Sequence, residues 1–269
     1  MTLDWQQQRA TGTRFGFGEN WTRYSRLLNT ERIDAARASL VEMLGRKSLD
    51  GLTLLDIGCG SGLFSLCARQ LGAEVVSFDY DPHSVSCTQG IREKYSPNDP
   101  KWKIMQGSIL DHELVTSLGH YDIVYSWGVL HHTGKMWDAL DNAAQTVKPG
   151  GMLYISIYND QGFISAYWLQ VKRVYNSFPL FKPLIVILHA PYLFLARMFY
   201  RAAIGKKIER GMSIWHDMLD WFGGYPFEVA RPEQIFSFYR DRGFELLEMK
   251  TCGGKHGCNE FVFRRKLQA

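Results

Sequence analysis

The stretch LLDIGCGSG, residues 54–62, constrains this chain more than any other. Leu54 and Leu55 close an apolar strand, and Gly58, Gly60 and Gly62 follow at alternate positions before a helix that starts near Leu63. Glycine has no Cβ, so such a turn lets a ligand touch backbone, and the following helix turns its free N–H groups toward it. Seventeen residues past Gly62 a second strand, AEVVSFD, ends in Asp79, whose carboxylate can accept hydrogen bonds from a ribose diol. The loop departs from the dinucleotide fingerprint, because Asp56 precedes the first glycine and the pattern is D-x-G-x-G-x-G. A pyrophosphate would be repelled by that carboxylate, whereas an ammonium or sulfonium would be attracted.

The rest of the chain continues the rhythm. A glycine-rich start gives way to a helix with Ile33, Leu40, Val41 and Leu44 on one face. After the glycine turn come a helix to Leu71, the second strand, a helix opened by Pro82, the strand KWKIMQG, the short helix HELVTSL and the strand YDIVYSW. A helix from Lys135 to Val147 is expected to stop at KPGG, and MLYISIYN is the fifth strand. Residues 160–229 contain no convincing strand; a helix beginning near Pro232 and two strands joined by GGKHG close the chain. Alternating strands and helices imply a Rossmann-like α/β fold. We expect a seven-stranded, mostly parallel sheet with an antiparallel last strand and a helical insertion after strand 5. On this reading residues 1–269 form one domain, residues 1–50 an N-terminal helical lid, and residues 160–229 a helical cover over an acceptor site.

Composition removes several alternatives. With 46% hydrophobic and 22% charged residues the chain is not a disordered one. A net charge of +4 without a basic stripe makes nucleic acid an unlikely partner. The five cysteines form no disulfide framework, which suits a reducing compartment, and MTLDWQQQRA has no apolar signal core. The expectation is a cytoplasmic protein.

Four runs, LLDIGCGSG, VVSFDYD, DIVYSWGVLHH and VKPGGMLYISIYN, together resemble the class I S-adenosylmethionine (SAM) dependent methyltransferases. Within that class the chain looks most like the small-molecule branch that includes the ubiquinone-pathway O-methyltransferases. The resemblance covers residues 52–159 and the order of the final elements. It implies SAM as cofactor, with Asp56, Gly58, Cys59, Gly60 and Gly62 around its methionine part. Asp79 would hold the ribose hydroxyls, Tyr80 would lie beside the adenine, and Trp127 would line the site. Ser108 stands where many relatives carry an acid facing the adenine amine, which leaves that contact to backbone at Ile109.

His131 and His132 follow the fourth strand, where parallel sheets bind ligands. Methyl transfer needs an aligned acceptor that loses a proton, and a histidine suits that task near neutral pH. Leu130-His131 also resembles a Leu-His pair of the phosphoethanolamine methyltransferases, which acts with a lid tyrosine; Tyr24 would be its counterpart. A structural role for both histidines stays open. The ubiquinone-pathway enzymes carry acids here that have been linked to metal, but Gly128 and His131 stand in their places, so no metal is expected. Cys252, His256 and Cys258 lack a fourth ligand at a zinc spacing.

Acceptor contacts are expected from Trp21, Tyr158, Asn159, His216, Tyr225 and His256. His216 and Asp220 are four apart and share a helix face. Aromatic residues crowd the insertion, which suggests an apolar or aromatic acceptor. Residues 178–200 are greasy but interrupted by Lys182, His189, Arg197 and three prolines, so a lid, a homodimer surface or a peripheral membrane patch is expected rather than a span. The reading is SAM-dependent methylation of a hydroxyl on a small or lipophilic, quinol-like molecule. Its rivals are S-methylation of a thiol, RNA or protein methylation, and a non-catalytic SAM-binding module.

Overall fold

Successive residues of the central strands point to opposite faces, and both faces are apolar. Leu54, Ile123, Tyr125, Met152 and Tyr154 pack on one side, while Leu55, Val124, Leu153 and Ile155 pack on the other. A strand buried on both faces reads as a continuous hydrophobic run, which is why these segments stood out. The structure is a computed structural model and describes residues 4–25, 27–204 and 221–267.

The elements in chain order are α1 (Trp5–Ala10), α2 (Gly18–Ser25), α3 (Thr30–Leu44), β1 (Thr53–Ile57), α4 (Leu63–Gln70), β2 (Glu74–Asp79), α5 (Pro82–Tyr95), β3 (Trp102–Gln106), α6 (His112–Leu118) and β4 (Tyr121–Trp127). A 3-10 turn at Leu130–His132 follows, the histidine turn, then α7 (Met136–Gln145), β5 (Val147–Tyr158) and α8 (Phe163–Ser177). A second 3-10 turn (Pro179–Phe181), α9 (Lys182–Ile204), a helix we number α10 (Pro232–Arg240), β6 (Phe244–Lys250) and β7 (Cys258–Arg265) complete the chain. The sheet runs β3-β2-β1-β4-β5-β7-β6. β1 to β5 are parallel, and β7 enters antiparallel between β5 and β6. This is the expected seven-stranded Rossmann-like sheet. Its strand order reverses between β1 and β4, which opens a crevice at their C-terminal ends.

Helices α3, α4 and α5 cover one face, and α7 and α10 the other. Two local expectations need correction. In α3 the buried stripe is Ile33, Ala36, Leu40 and Leu44, and Val41 is half-exposed at its margin, because a narrow stripe at three- and four-residue spacing already faces α4. KPGG does not separate α7 from β5. The strand begins at Val147, opposite Tyr121, and Met152 then pairs with Ile123, so residues 148–151 bulge out opposite Asp122. Lys148 Nζ closes the bulge on Asp122 Oδ2 at 2.8 Å.

The insertion builds its own small core from Trp168, Val171, Tyr175, Ile185, Leu193, Phe222 and Phe227, with Tyr158 of β5 packed against it. It therefore sits beyond the C-terminal end of β5.

Candidate active site

The glycine turn leaves β1 with Gly58, Gly60 and Gly62 at φ of +75°, +53° and +79°. These angles strain any residue with a Cβ. At Gly58 a Cβ would stand 2.4 Å from a Val129 methyl, and at Gly60 it would stand 3.1 Å from Trp21 Nε1. The loop is thus flanked by Val129 from the histidine turn and by Trp21 from α2. Gly58 and Cys59 donate to Phe78 O at 2.8 and 3.1 Å, which pins the turn to β2.

Asp79 lies beside it. Its carboxylate accepts from Gly60 N at 3.0 Å and from Asp81 N at 2.9 Å. Burial pushes its pKa up to about 6. Ionised carboxylates offer about four acceptor positions, so two remain for other donors. Asp56 is almost fully buried and takes the Ser65 hydroxyl; Ser65 meets Ser77 at 2.7 Å, and Trp102 Nε1 donates to Ser77 at 2.9 Å. Burial raises Asp56 to about 7. Cys59 is buried with its thiol held well above its usual pKa, and its sulfur accepts from Thr88 at 3.2 Å. Tyr80 is half-buried under the N-terminal arm, where Gln8 Nε2 meets its hydroxyl at 3.3 Å. Ser108 Oγ turns back to Leu110 N at 3.1 Å, and the Ile109 carbonyl is taken by Asn142 Nδ2 at 2.8 Å. Trp127 is half-buried and packs against the α3–α5 side of the core.

The two histidines are buried side by side with ring centroids 4.5 Å apart. His131 lies 4.0 Å from the Tyr158 ring, and Tyr158 N–H points at its Nδ1 at 3.4 Å. His131 Nε2 is buried without a hydrogen-bond partner among the described residues. Burial, then His132 and Lys172, hold His131 well below its usual pKa. His132 Nδ1 meets Pro226 O at 2.6 Å, and burial takes its pKa down to about 3. Both rings are therefore neutral at physiological pH. Tyr24 is buried and packs edge-on to Trp21 at 5.8 Å.

The His132 shift carries a stability prediction. A histidine held neutral in the fold gives the unfolded chain a proton to gain below pH 6.5, so its contribution falls as pH drops from about 6.5 toward 3. Each unit of mismatch is worth about 1.4 kcal/mol. Wild type should exceed His132→Asn in unfolding free energy at pH 7, and that margin should shrink by about 2 kcal/mol by pH 5. Denaturant titrations of both proteins at the two pH values measure it; a constant margin would contradict the assignment.

Beyond the histidines lies a tight chamber lined by Tyr158, Asn159, Gln161, Ser165, Trp168, Trp221, Phe227, His256 and Gly257, with a cavity of about 10 Å³. Asn159 holds the β6–β7 turn against it, with Asn159 N donating to Gly257 O at 3.0 Å and Asn259 Nδ2 donating to Asn159 Oδ1 at 2.9 Å. His256 stands 5.5 Å from the Trp221 ring. Tyr225 is half-buried, and its carbonyl receives the Phe15 N–H at 2.8 Å. His216 lies outside the described residues.

Two residues of the site escaped sequence reasoning. Lys172 is fully buried; its ammonium meets the Trp221 carbonyl and lies 4.3 Å and 4.8 Å from the centroids of the Trp221 and Phe227 rings. The spacing of Trp168, Val171, Lys172 and Tyr175 puts it on the buried stripe of α8, a signal available in the sequence. Arg14 joins the N-terminal arm to the histidine turn, and no local pattern marks it.

A sheet in this order, with a glycine turn after β1 at its switch point and an acid at the end of β2, defines the class I SAM-dependent methyltransferases. Comparison with known proteins gives the particular family: the model of the family described as "Methyltransferase domain" matches residues 28–247, and the chain belongs to that family. Among curated proteins it is 29% identical over 120 residues to the ubiquinone biosynthesis O-methyltransferase of Caulobacter vibrioides, covering 42% of this chain and 44% of that one. It is 31% identical over 144 residues to the mitochondrial ubiquinone biosynthesis O-methyltransferase of Schizosaccharomyces pombe, covering 51% and 49%. The chain thus spans about half the length of the curated relatives it matches. In fold it resembles the Synechocystis magnesium protoporphyrin IX methyltransferase solved with S-adenosylhomocysteine (SAH), at TM-score 0.53 and 17% identity over 99% of this chain and 90% of that one.

Proposed function

We propose that the protein transfers a methyl group from SAM to a hydroxyl of a small aromatic or lipophilic molecule held in the aromatic chamber. The observation that carries this reading is the chamber itself, walled by Tyr158, Trp168, Trp221 and Phe227 and adjoining the histidine turn. Small-molecule sites are apolar clefts with a few placed polar groups, and Asn159, Ser165 and His256 supply them here. The chamber's cavity is about 10 Å³, room for about one water, so an acceptor ring enters only as the aromatic side chains around it move apart.

The turn fits SAM, because Gly58 and Gly60 carry backbone with no side chain of its own into the crevice at the end of β1, and Asp79 keeps two acceptor positions for a ribose diol. Bound SAM supplies an electrophilic methyl on a sulfonium. The rest falls to this chain. Gly58, Gly60 and Asp79 hold the cofactor, and Asp56, bound to the Ser65 hydroxyl, braces the loop from behind. The N-terminal arm and α2 act as lid, with α3 packed in the core behind them, and residues 160–229 act as the acceptor cover. His131 presents Nε2, which has no partner among the described residues, to the acceptor hydroxyl and orients it for in-line attack; the oxygen takes the methyl and gives its proton to water, leaving SAH. A screen of phenols, catechols, hydroquinones and thiols with methyl-labelled SAM tests the reading. Label on a hydroxyl supports it; label on thiols alone, or on none, overturns it.

A second observation bears on where the enzyme works. No single described helix is long and apolar enough to cross a membrane, but α8 and the start of α9, bent 116° apart, carry an exposed apolar face. Phe163, Leu180 and Ile187 are 86%, 93% and 69% exposed, and Leu184, Leu188, Tyr192 and Leu195 continue the face along α9. Residues 161–208 contain no Asp or Glu and seven Lys or Arg. That charge opposes a second copy of the chain and favours an anionic lipid surface. The reading is a cytoplasmic enzyme docked on such a surface. It should float with vesicles of equal parts phosphatidylcholine and phosphatidylglycerol, and Ile187→Glu/Leu188→Glu should not. Flotation of neither protein, with a dimer in sedimentation, would assign the face to a second copy instead.

A further inference from the structure

Residues 12–18 of the N-terminal arm cross four parts of the molecule. Gly12 abuts α8 so closely that a Cβ there would stand 2.5 Å from the Asn176 carbonyl oxygen. Phe15 donates its N–H to Tyr225 O at 2.8 Å, and its ring fills the space over Gly223. The Phe17 ring lies 4.9 Å from His132. Gly18 N donates to Asp81 Oδ2 at 2.8 Å, two residues past Asp79. One strap thus touches the acceptor cover, the histidine turn and the edge of the glycine-loop site.

Arg14 sits at its centre and uses all three guanidinium nitrogens. Nη1 donates to His132 O at 2.9 Å, Nη2 to Thr133 O at 3.3 Å, and Nε to Gln8 Oε1 at 2.6 Å. The guanidinium lies 5.0 Å from the centroid of the Tyr80 ring. From the other side Glu228 receives Gly134 N at 2.9 Å and Met136 N at 3.0 Å, so the chain after the histidines is held between a cation and an anion. A planar fork can span two carbonyls and stack on an aromatic ring at once; a lysine ammonium cannot.

We propose that Arg14 is a positioning residue that couples occupancy of the cofactor site to the geometry of the histidine turn and the acceptor cover. A ligand packed along Tyr80 and Asp79 restricts the ring that Arg14 stacks on, and the ordered guanidinium then fixes the two carbonyls after His131. The strap, seated or lifted, is the two-state element, and the coupling is reciprocal, so an acceptor in the chamber also tightens the cofactor. This inference rests on the cofactor reading above.

Hydrogen exchange with and without SAH, run beside calorimetry of the same samples, tests it on wild type, Arg14→Ala and Arg14→Lys. Wild type should gain protection in three places when SAH binds: the glycine loop, residues 130–134 and residues 221–229. In both variants the glycine loop should stay protected by SAH, while protection at 130–134 and 221–229 drops on the order of tenfold. Lysine keeps the charge, so its failure to rescue separates the fork from a general electrostatic effect. Wild-type protection confined to the glycine loop would overturn the coupling, as would either variant transmitting protection as wild type does. Absence of SAH heat with wild type would instead overturn the cofactor reading, and this inference with it.

Discussion

Replacing Asp79 with alanine is expected to weaken SAM and SAH binding about 100-fold or more. The carboxylate has two acceptor positions left after Gly60 N and Asp81 N, and hydrogen bonds to a charged group contribute about 1.5–3 kcal/mol each. Two such bonds to a ribose diol account for that loss. Removing the side chain also frees the Gly60 amide, so the glycine turn loses its tie to β2 on that side. The pH dependence has a defined sign. Burial raises Asp79 to about 6 in the free protein, so below that pH the group is protonated and loses acceptor capacity. SAH affinity of wild type should be level above pH 7 and fall as pH drops through 6; Asp79→Ala should lack that limb. Calorimetric titration across pH measures both. Wild-type affinity in the alanine variant would remove Asp79 from the site.

Replacing His131 with glutamine is expected to lower kcat by about 10²- to 10⁴-fold, the usual contribution of a positioned polar or proton-transferring side chain. The binding of SAM should change little, because the contacts of His131 are with Tyr158 and His132 rather than with the glycine loop. Glutamine approximates the ring's volume and keeps a polar end, which limits the cavity cost at a fully buried position. Burial, with His132 and Lys172 nearby, keeps the wild-type ring neutral, so the rate should show no limb at the usual histidine pKa. The acceptor returned by the label screen serves as substrate. An unchanged kcat would make both histidines structural, His132 through Pro226 and His131 through Tyr158.

The sheet was legible because its code is local. Each buried strand is a short apolar run, Gly58, Gly60 and Gly62 mark a turn in which all three take positive φ, and Pro82 and Pro232 mark helix starts. The bulge at residues 148–151 was not legible, because Pro149 and Gly150 are stop signals in a helix and bulge residues in a strand, and only pairing with β4 decides. The site divides the same way. Asp79 and the histidine turn follow from strand ends. Arg14 reaches His132 across 118 residues of chain, and Gln8 reaches Tyr80 across 72, so neither contact leaves a local trace. Lys172 lay in between: its helix face predicts burial, but its charge argues for solvent. The aromatic rings of Trp221 and Phe227 and the Trp221 carbonyl resolve that conflict.

The central claim is that the glycine loop and Asp79 form a SAM site. Calorimetric titration of the wild-type protein with SAH tests it most directly. The account predicts saturable binding at one molecule per chain that Asp79→Ala weakens about 100-fold or more. Absence of heat with a folded wild-type protein, or binding that Asp79→Ala leaves intact, would contradict it.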